Sequence, residues 1–193
     1  MFPNPRKTRS LLPLGPIDLG SVRDDILAIP ETVWQRENAT KPNSGNVYGS
    51  LERTDHIVFR FVRKPRDWRE HVDYPIWAEW RERLLPLLHA AVRPYGYARV
   101  EFPRVMLARL PAGGQIRPHQ DANPAALWPH KIHIPITTNE QVKFFIDPDH
   151  HHLQVGQAYE VNNLGMHGVQ NDGDSARIHL IFECFDPDQP VLL

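Results

Sequence analysis

The sequence predicts a mainly β protein with flanking helices, its strands packed as an antiparallel sandwich or barrel. From residue 98 onward, short apolar stretches are separated by turn residues, with no helical pattern between them. Nineteen prolines are spread along 193 residues, which favours many short elements over a helix bundle. Apolar residues at helical spacing are confined to two stretches of the first half.

Taken in order, the residues up to 17 are Pro-rich and read as irregular. Residues 18–29 read as a short helix, with Leu19, Val22, Ile26, Leu27 and Ile29 at roughly helical spacing. Residues 38–50, rich in Asn, Ser, Gly, Lys and Pro, read as a loop. Residues 57–62, a β-branched and aromatic run, read as a strand, and 64–74 form a charged connector. Residues 73–93 give the strongest helix: Ile76, Trp77, Trp80, Leu84, Leu87, Leu88 and Ala91 recur at three- and four-residue steps. Pro75 suits its first turn, and Pro86 predicts a kink or break. Strands follow at 98–102, 105–110, 131–137, 142–146, 158–162 and 176–185. Turns separate them at Pro111-Ala112-Gly113-Gly114, Asn123-Pro124, Asp147-Pro148-Asp149 and Asn171-Asp172-Gly173-Asp174. The expectation is one domain over 1–193: a mixed support over 1–97 and a β-rich core over 98–185 that carries the site.

Composition excludes several classes. A formal net charge of −1 gives no bulk attraction to nucleic acid or anionic membrane. No apolar run approaches the roughly 18 residues of a membrane span. The start carries Arg6, Lys7 and Arg9, then a Leu-Leu-Pro-Leu stretch broken by proline, a poor signal peptide. Cys184 is the only cysteine, so no internal disulfide forms. A cytoplasmic location is expected; nothing in the sequence fixes the oligomeric state.

The chemistry concentrates in His119-Gln120-Asp121, His167 and, ten residues on, Arg177. Two imidazoles and one carboxylate are the ligand set that holds non-haem iron(II) with open positions. In an extended segment, residues two apart share a face, so His119 and Asp121 can reach one ion. His167 comes from elsewhere, with Gly165 and Gly168 giving its backbone room. Lys131 and His133 lie on one face of their strand, and Arg177 and His179 on one face of theirs, with isoleucine, leucine and phenylalanine opposite. A barrel mouth holding a metal and a dicarboxylate needs such an alternation. Arginine's planar fork matches a carboxylate and offsets its desolvation.

Other residues have simpler readings. Asp149-His150-His151-His152 follows a turn and reads as an exposed loop rather than a metal tract. His130 and His179 read as structural or supporting. Trp77 and Trp80 belong to the core. Trp128 either lines a substrate entrance or covers the barrel. Arg109 suits a surface salt bridge at least as well as a substrate carboxylate. Asn162 and Asn163 read first as turn formers, with substrate contact the alternative.

Residues 98–185 resemble the aspartyl/asparaginyl β-hydroxylase-like branch of the iron(II)/2-oxoglutarate oxygenases. The resemblance rests on PAGGQIRPHQD, KIHIPITTNEQVKFF and YEVNNLGMHGVQNDGDSARIHLIFE. The last is the most specific, combining paired asparagines, the distal histidine and the ten-residue step to arginine. It implies a double-stranded β-helix, or jelly roll, with His119, Asp121 and His167 as iron ligands. Arg177 would take the distal carboxylate of 2-oxoglutarate. The branch commonly carries an Arg-x-His pair at the position of Lys131 and His133, where it helps hold the cosubstrate; lysine keeps the charge and loses the fork. The implied cofactor is Fe(II), with 2-oxoglutarate and O2 as cosubstrates. The implied enzyme is a 2-oxoglutarate-dependent dioxygenase, a hydroxylase. It would hydroxylate an unactivated C–H bond of an amino acid, a peptide or an amino-acid-derived small molecule, releasing succinate and CO2. The alternative is a metal-binding cupin: an isomerase, a dioxygenase independent of 2-oxoglutarate, or a binding protein. His167 and Asn171 fit the cupin second-motif spacing, but no glutamate lies between Gln120 and Trp128, and Arg177 would lack a purpose.

Overall fold

The computed structural model describes residues 9–42, 54–64, 67–121 and 123–188. Two sheets face each other, antiparallel throughout. The larger has seven strands: β1 (Leu11–Pro16), β9 (Gln157–Val161), β6 (His130–Thr137), β11 (Arg177–Phe185), β4 (Glu101–Leu110), β2 (Asp55–Lys64) and β3 (Asp67–Asp73), in that spatial order. The smaller has four: β5 (Gln115–His119), β10 (His167–Asn171), β7 (Val142–Ile146) and β8 (Asp149–His151). This is the expected antiparallel jelly roll, with α1 (Gly20–Leu27), α2 (Glu31–Thr40) and α3 (Trp77–Val92) beside it.

The period-two alternation of the large sheet decides what lies on each side. Ile132, Ile134 and Ile136 of β6, Ile178, Leu180 and Phe182 of β11, and Ile57 and Phe59 of β2 point outward. There they join Trp77, Trp80, Leu84 and Leu88 of α3 in one buried cluster. Phe59 lies 6.0 Å from the Trp77 ring and 5.9 Å from that of Trp80. Burying each such side chain stabilises by about 2 kcal/mol. With that face sealed by helices, the opposite face of the same strands turns toward the small sheet. Leu110, Tyr159 and Val161 meet Val142, Phe144, Ile146 and Val169 there. Arg177 and His179 of β11, and Lys131 and His133 of β6, share this inner side with Leu110 and Tyr159 by register.

Several elements differ from the sequence reading. Residues 11–16 form an edge strand, not an irregular segment. Its prolines are tolerated because an edge strand needs no second set of hydrogen bonds, and its register slips between Pro13 and Gly15. The charged connector forms β3, the opposite edge, where polar side chains can face water. Helix α2, unmarked by any strong apolar period, is anchored by the single buried residue Trp34. The strands expected at 98–102 and 105–110 are one strand, β4. Pro103 fits because β2 pairing ends at Val105 and β11 shifts register beyond Arg104. Helix α3 runs through Pro86 without a break, its apolar face buried on both sides of the proline. The histidine tract is no loop: Asp149–His151 pairs with β7 as an edge strand. Of the loop expected at 38–50, residues 38–40 close α2, and 43–50 lie outside the described residues, as does the basic start at 1–8. Among the described residues, no helix is long and apolar enough to cross a membrane.

Candidate metal centre

Strand β5 ends at His119, and Asp121 follows two residues later. Strand β10 begins at His167, which is in register with His119 across the β5–β10 pairing. The two imidazole centroids are 4.3 Å apart. One ligand atom from each of His119, Asp121 and His167 lies within 4.8 Å of the others, and this is the only such cluster among the described residues. A close backbone approach brings the strands together. A Cβ on Gly168 would meet the Ile116 carbonyl oxygen at 2.8 Å and the Pro118 nitrogen at 3.0 Å. Gly168→Ala is therefore expected to separate β5 from β10. It should cost about 1–3 kcal/mol of stability and weaken metal binding. Thermal melts and a cobalt(II) titration check this; unchanged values in both would contradict the geometry.

The surroundings prepare each ligand. His119 Nδ1 lies 2.9 Å from the Arg117 carbonyl oxygen, and His167 Nδ1 lies 3.0 Å from that of Gly165. A carbonyl oxygen only accepts, so both Nδ1 atoms carry the proton and both Nε2 atoms present a lone pair. Burial, chiefly, lowers the pKa of His167 to about 4, so it is neutral and ready to bind at pH 7. Asp121 Oδ2 accepts from Lys131 Nζ at 2.5 Å and from Asn163 Nδ2 at 3.2 Å. Oδ1 faces His119 Nε2 at 3.7 Å. Burial opposes ionisation of Asp121, but Lys131, His167 and His119 outweigh it and hold the carboxyl well below its usual range. Asp121 is thus an anion with one oxygen fixed by Lys131 and Asn163 and the other facing His119.

On the inner face of the large sheet, over the Phe144 ring of the small one, lies Arg177, 1% exposed. Its Nη2 donates to His179 Nδ1 at 3.0 Å, while Nε and Nη1 are buried with no hydrogen-bond partner among the described residues. Burial lowers its pKa to about 9, so the guanidinium is still charged at pH 7. A buried cation without a counter-ion is costly, and a carboxylate is the complement of its two idle donor groups. His133 Nδ1 lies 3.3 Å from His179 Nδ1. Since His179 Nδ1 accepts from Arg177, His133 Nδ1 carries the proton there, and His179 carries its own on Nε2. Burial, above all, drives both rings well below their usual pKa, so both are neutral. The centre therefore has two parts: a donor set suited to a divalent metal, and a cationic recess suited to an anion.

A model of the aspartyl/asparaginyl β-hydroxylase family matches residues 20–187. The chain belongs to that family. It is an enzyme of the 2-oxoglutarate-dependent dioxygenase class, which uses Fe(II), 2-oxoglutarate and O2. A search of the curated proteins finds no match. Among solved structures, the hydroxylase is similar to a prolyl hydroxylase from Trichoplax adhaerens, in complex with a hypoxia inducible factor peptide fragment. Identity is 12%, TM-score 0.55, and the match covers 95% of this chain and 86% of that one. A 2-oxoglutarate–Fe(II) oxygenase family protein from Burkholderia pseudomallei matches at 17% identity and TM-score 0.52, over 68% of this chain and 65% of its own length. The collagen prolyl hydroxylase of Paramecium Bursaria Chlorella virus-1 matches at 9% and 0.50, over 92% of this chain and 96% of that one. At these identities the likeness shows the fold.

The remaining sequence candidates fall as follows. Lys131 reaches the Asp121 carboxylate, and His133 reaches the Arg177–His179 pair. Asn163, read first as a turn former, bonds both Asp121 and the Ala126 carbonyl, so it fixes the ligand and the loop after it. Sequence spacing held no sign of this. Arg109 is engaged by Glu31 at 2.6 Å and Asp55 at 2.8 Å. His130 binds Glu160 at 2.6 Å and Tyr97 at 2.5 Å, a buried structural bridge. Trp128 lies 6.2 Å from Trp68. The sequence reading missed His56, which is buried on β2 and in register with Ala108, on the side of Arg177's face.

Burial, first, and then Lys41 lower His56 to about 3. With His167 at about 4, two rings stay neutral in the folded hydroxylase at pH values where the unfolded chain protonates them. The unfolded state thus holds more protons below about pH 6.5, and stability is lost as pH falls through that window toward the folded values, by about 1.4 kcal/mol per unit for each ring. Urea unfolding of metal-free protein is expected to show a lower midpoint at pH 4.5 than at pH 7. An unchanged midpoint would contradict this.

Proposed function

We propose that His119, Asp121 and His167 hold iron(II), and that Arg177 binds the distal carboxylate of 2-oxoglutarate with His133 and His179 at its side. The hydroxylase then acts on an unactivated C–H bond of an amino acid, a peptide or an amino-acid-derived small molecule, as one oxygenase unit. When bound, the iron with 2-oxoglutarate and O2 supplies the oxidising power, with succinate and CO2 released. The chain's own residues supply the rest. His119 and His167 turn their Nε2 atoms to the metal, and Asp121 gives one charge. Lys131 and Asn163 hold Asp121 to a single free oxygen. On this reading Lys131 serves the metal side through Asp121, while Arg177 alone supplies a charged fork to the cosubstrate. The observation that carries the proposal is the buried, half-partnered guanidinium of Arg177 on the inner face of the large sheet, turned toward the small sheet that brings His119 and His167 together.

Labelled dioxygen tests it. One labelled atom is expected in succinate and one in the hydroxylated product, in the presence of iron(II). Both atoms in the product, or none, would point to cupin-type chemistry and away from this reading.

A further inference from the structure

Four charges alternate in sign from the middle of the large sheet to the metal centre. Glu183 of β11 is in register with Arg104 of β4 on one side and with Lys131 of β6 on the other. Side chains directly opposite across two antiparallel strands share a face, with their Cβ atoms about 5 Å apart. Arg104 Nη1 donates to Glu183 Oε1 at 2.6 Å, and Lys131 Nζ donates to Asp121 Oδ2 at 2.5 Å. The order is therefore Arg104 positive, Glu183 negative, Lys131 positive and Asp121 negative, and Asp121 belongs to the clustered triad.

Arg104 and Glu183 do not complete each other. A buried arginine–carboxylate pair gains most from two parallel bonds, and here one is made. Glu183 Oε2 is buried with no hydrogen-bond partner among the described residues, which is costly for an ionised acceptor. The cation in register with that carboxylate on its other side is Lys131. Lys131 in turn depends on Asp121, whose charge a divalent metal would also claim. A dication drawn to Asp121 repels the ammonium beside it, so Lys131 then requires a second counter-charge. Glu183 is the carboxylate placed to supply it. Arg104, packed 4.9 Å over the Phe61 ring, limits that supply by holding the other Glu183 oxygen.

We propose that Glu183 is a positioning residue of the metal centre, acting through Lys131: its second oxygen shares the lysine ammonium with Asp121 once a metal draws on that carboxylate. The inference rests on the proposed metal ligation. It gives the two members of the buried pair opposite effects on metal affinity. Without the Glu183 charge, metal and Lys131 face each other uncompensated, and the metal binds more weakly. Without the Arg104 charge, Glu183 turns its full charge to Lys131, and the metal binds more tightly.

The test is a cobalt(II) titration of the intact hydroxylase at pH 7, without 2-oxoglutarate, with folding checked by circular dichroism. Glu183→Gln should weaken cobalt binding roughly tenfold, the low end of the range for outer partners of a metal ligand. Arg104→Gln, which removes the charge and keeps a donor, should tighten it by about threefold or more. A merely structural pair would loosen the centre in both variants, and weaker binding in both would overturn the proposal. So would unchanged affinity in folded Glu183→Gln. In a Lys131→Met background Glu183→Gln should lose most of its effect; an undiminished loss there would show that Glu183 does not act through the lysine, and would also overturn it. Should Glu183→Gln fail to fold, the sign of the change in Arg104→Gln decides alone: tighter binding supports the proposal, and equal or weaker binding overturns it. Absence of cobalt binding by the wild-type protein would overturn the ligand assignment itself, a result distinct from any of these.

Discussion

Replacing His167 with alanine is expected to bring iron(II)-dependent succinate formation down to background. On the proposed assignment the ring supplies one of three ligand atoms, and its Nε2 is left for the metal because the Gly165 carbonyl fixes the proton on Nδ1. Loss of an outer partner of a metal ligand typically costs roughly 10–100-fold in affinity or activity, and loss of the ligand itself should exceed that. His119→Ala should behave alike, since its ring is held by the same device through the Arg117 carbonyl. Succinate assays checked against circular dichroism would separate ligand loss from misfolding. Full turnover by either folded variant would refute the ligand assignment.

Arg177→Met should produce two opposite effects. The guanidinium is fully inside, with one bond to His179 and two idle nitrogens, and burial already lowers its pKa to about 9. Removing an uncompensated buried charge for an apolar chain of similar length is expected to stabilise the ligand-free protein, by about 1–4 kcal/mol. The same change removes the proposed partner of the cosubstrate carboxylate. The KM for 2-oxoglutarate should rise roughly 100-fold or more, as expected for breaking a buried ion pair from one side at about 3–5 kcal/mol. In thermal melts the variant should start higher than wild type and gain little on addition of 2-oxoglutarate. A lower starting melting temperature with an undiminished gain would show that the anion binds elsewhere.

The sequence made much of this centre legible because its chemistry is local. His119 and Asp121 are two apart on an extended chain, and Arg177 and His179 alternate with isoleucine and leucine on a strand. Faces set by a two-residue period survive any detail of packing. What escaped depends on contacts between distant segments. Asn163 looks like a turn residue until the loop after Asp121 folds over it. Lys131 sits where the resemblance placed a cosubstrate contact, yet its ammonium ends on a ligand carboxylate. Both edge strands of the large sheet were missed because proline in β1 and charge in β3 are devices that protect an edge, and along the chain they look like loop. Helix α2 carries too little apolar period to be seen without β2 beneath it.

The central claim is that the triad and Arg177 form one composite site, each half incomplete alone. Anaerobic titration of 2-oxoglutarate into the hydroxylase, with and without iron(II), measures that coupling directly. The expected result is tight binding of one 2-oxoglutarate per chain with the metal present, and binding weaker by tenfold or more without it. Equal affinity in both titrations would show that the metal and the anion do not share a site.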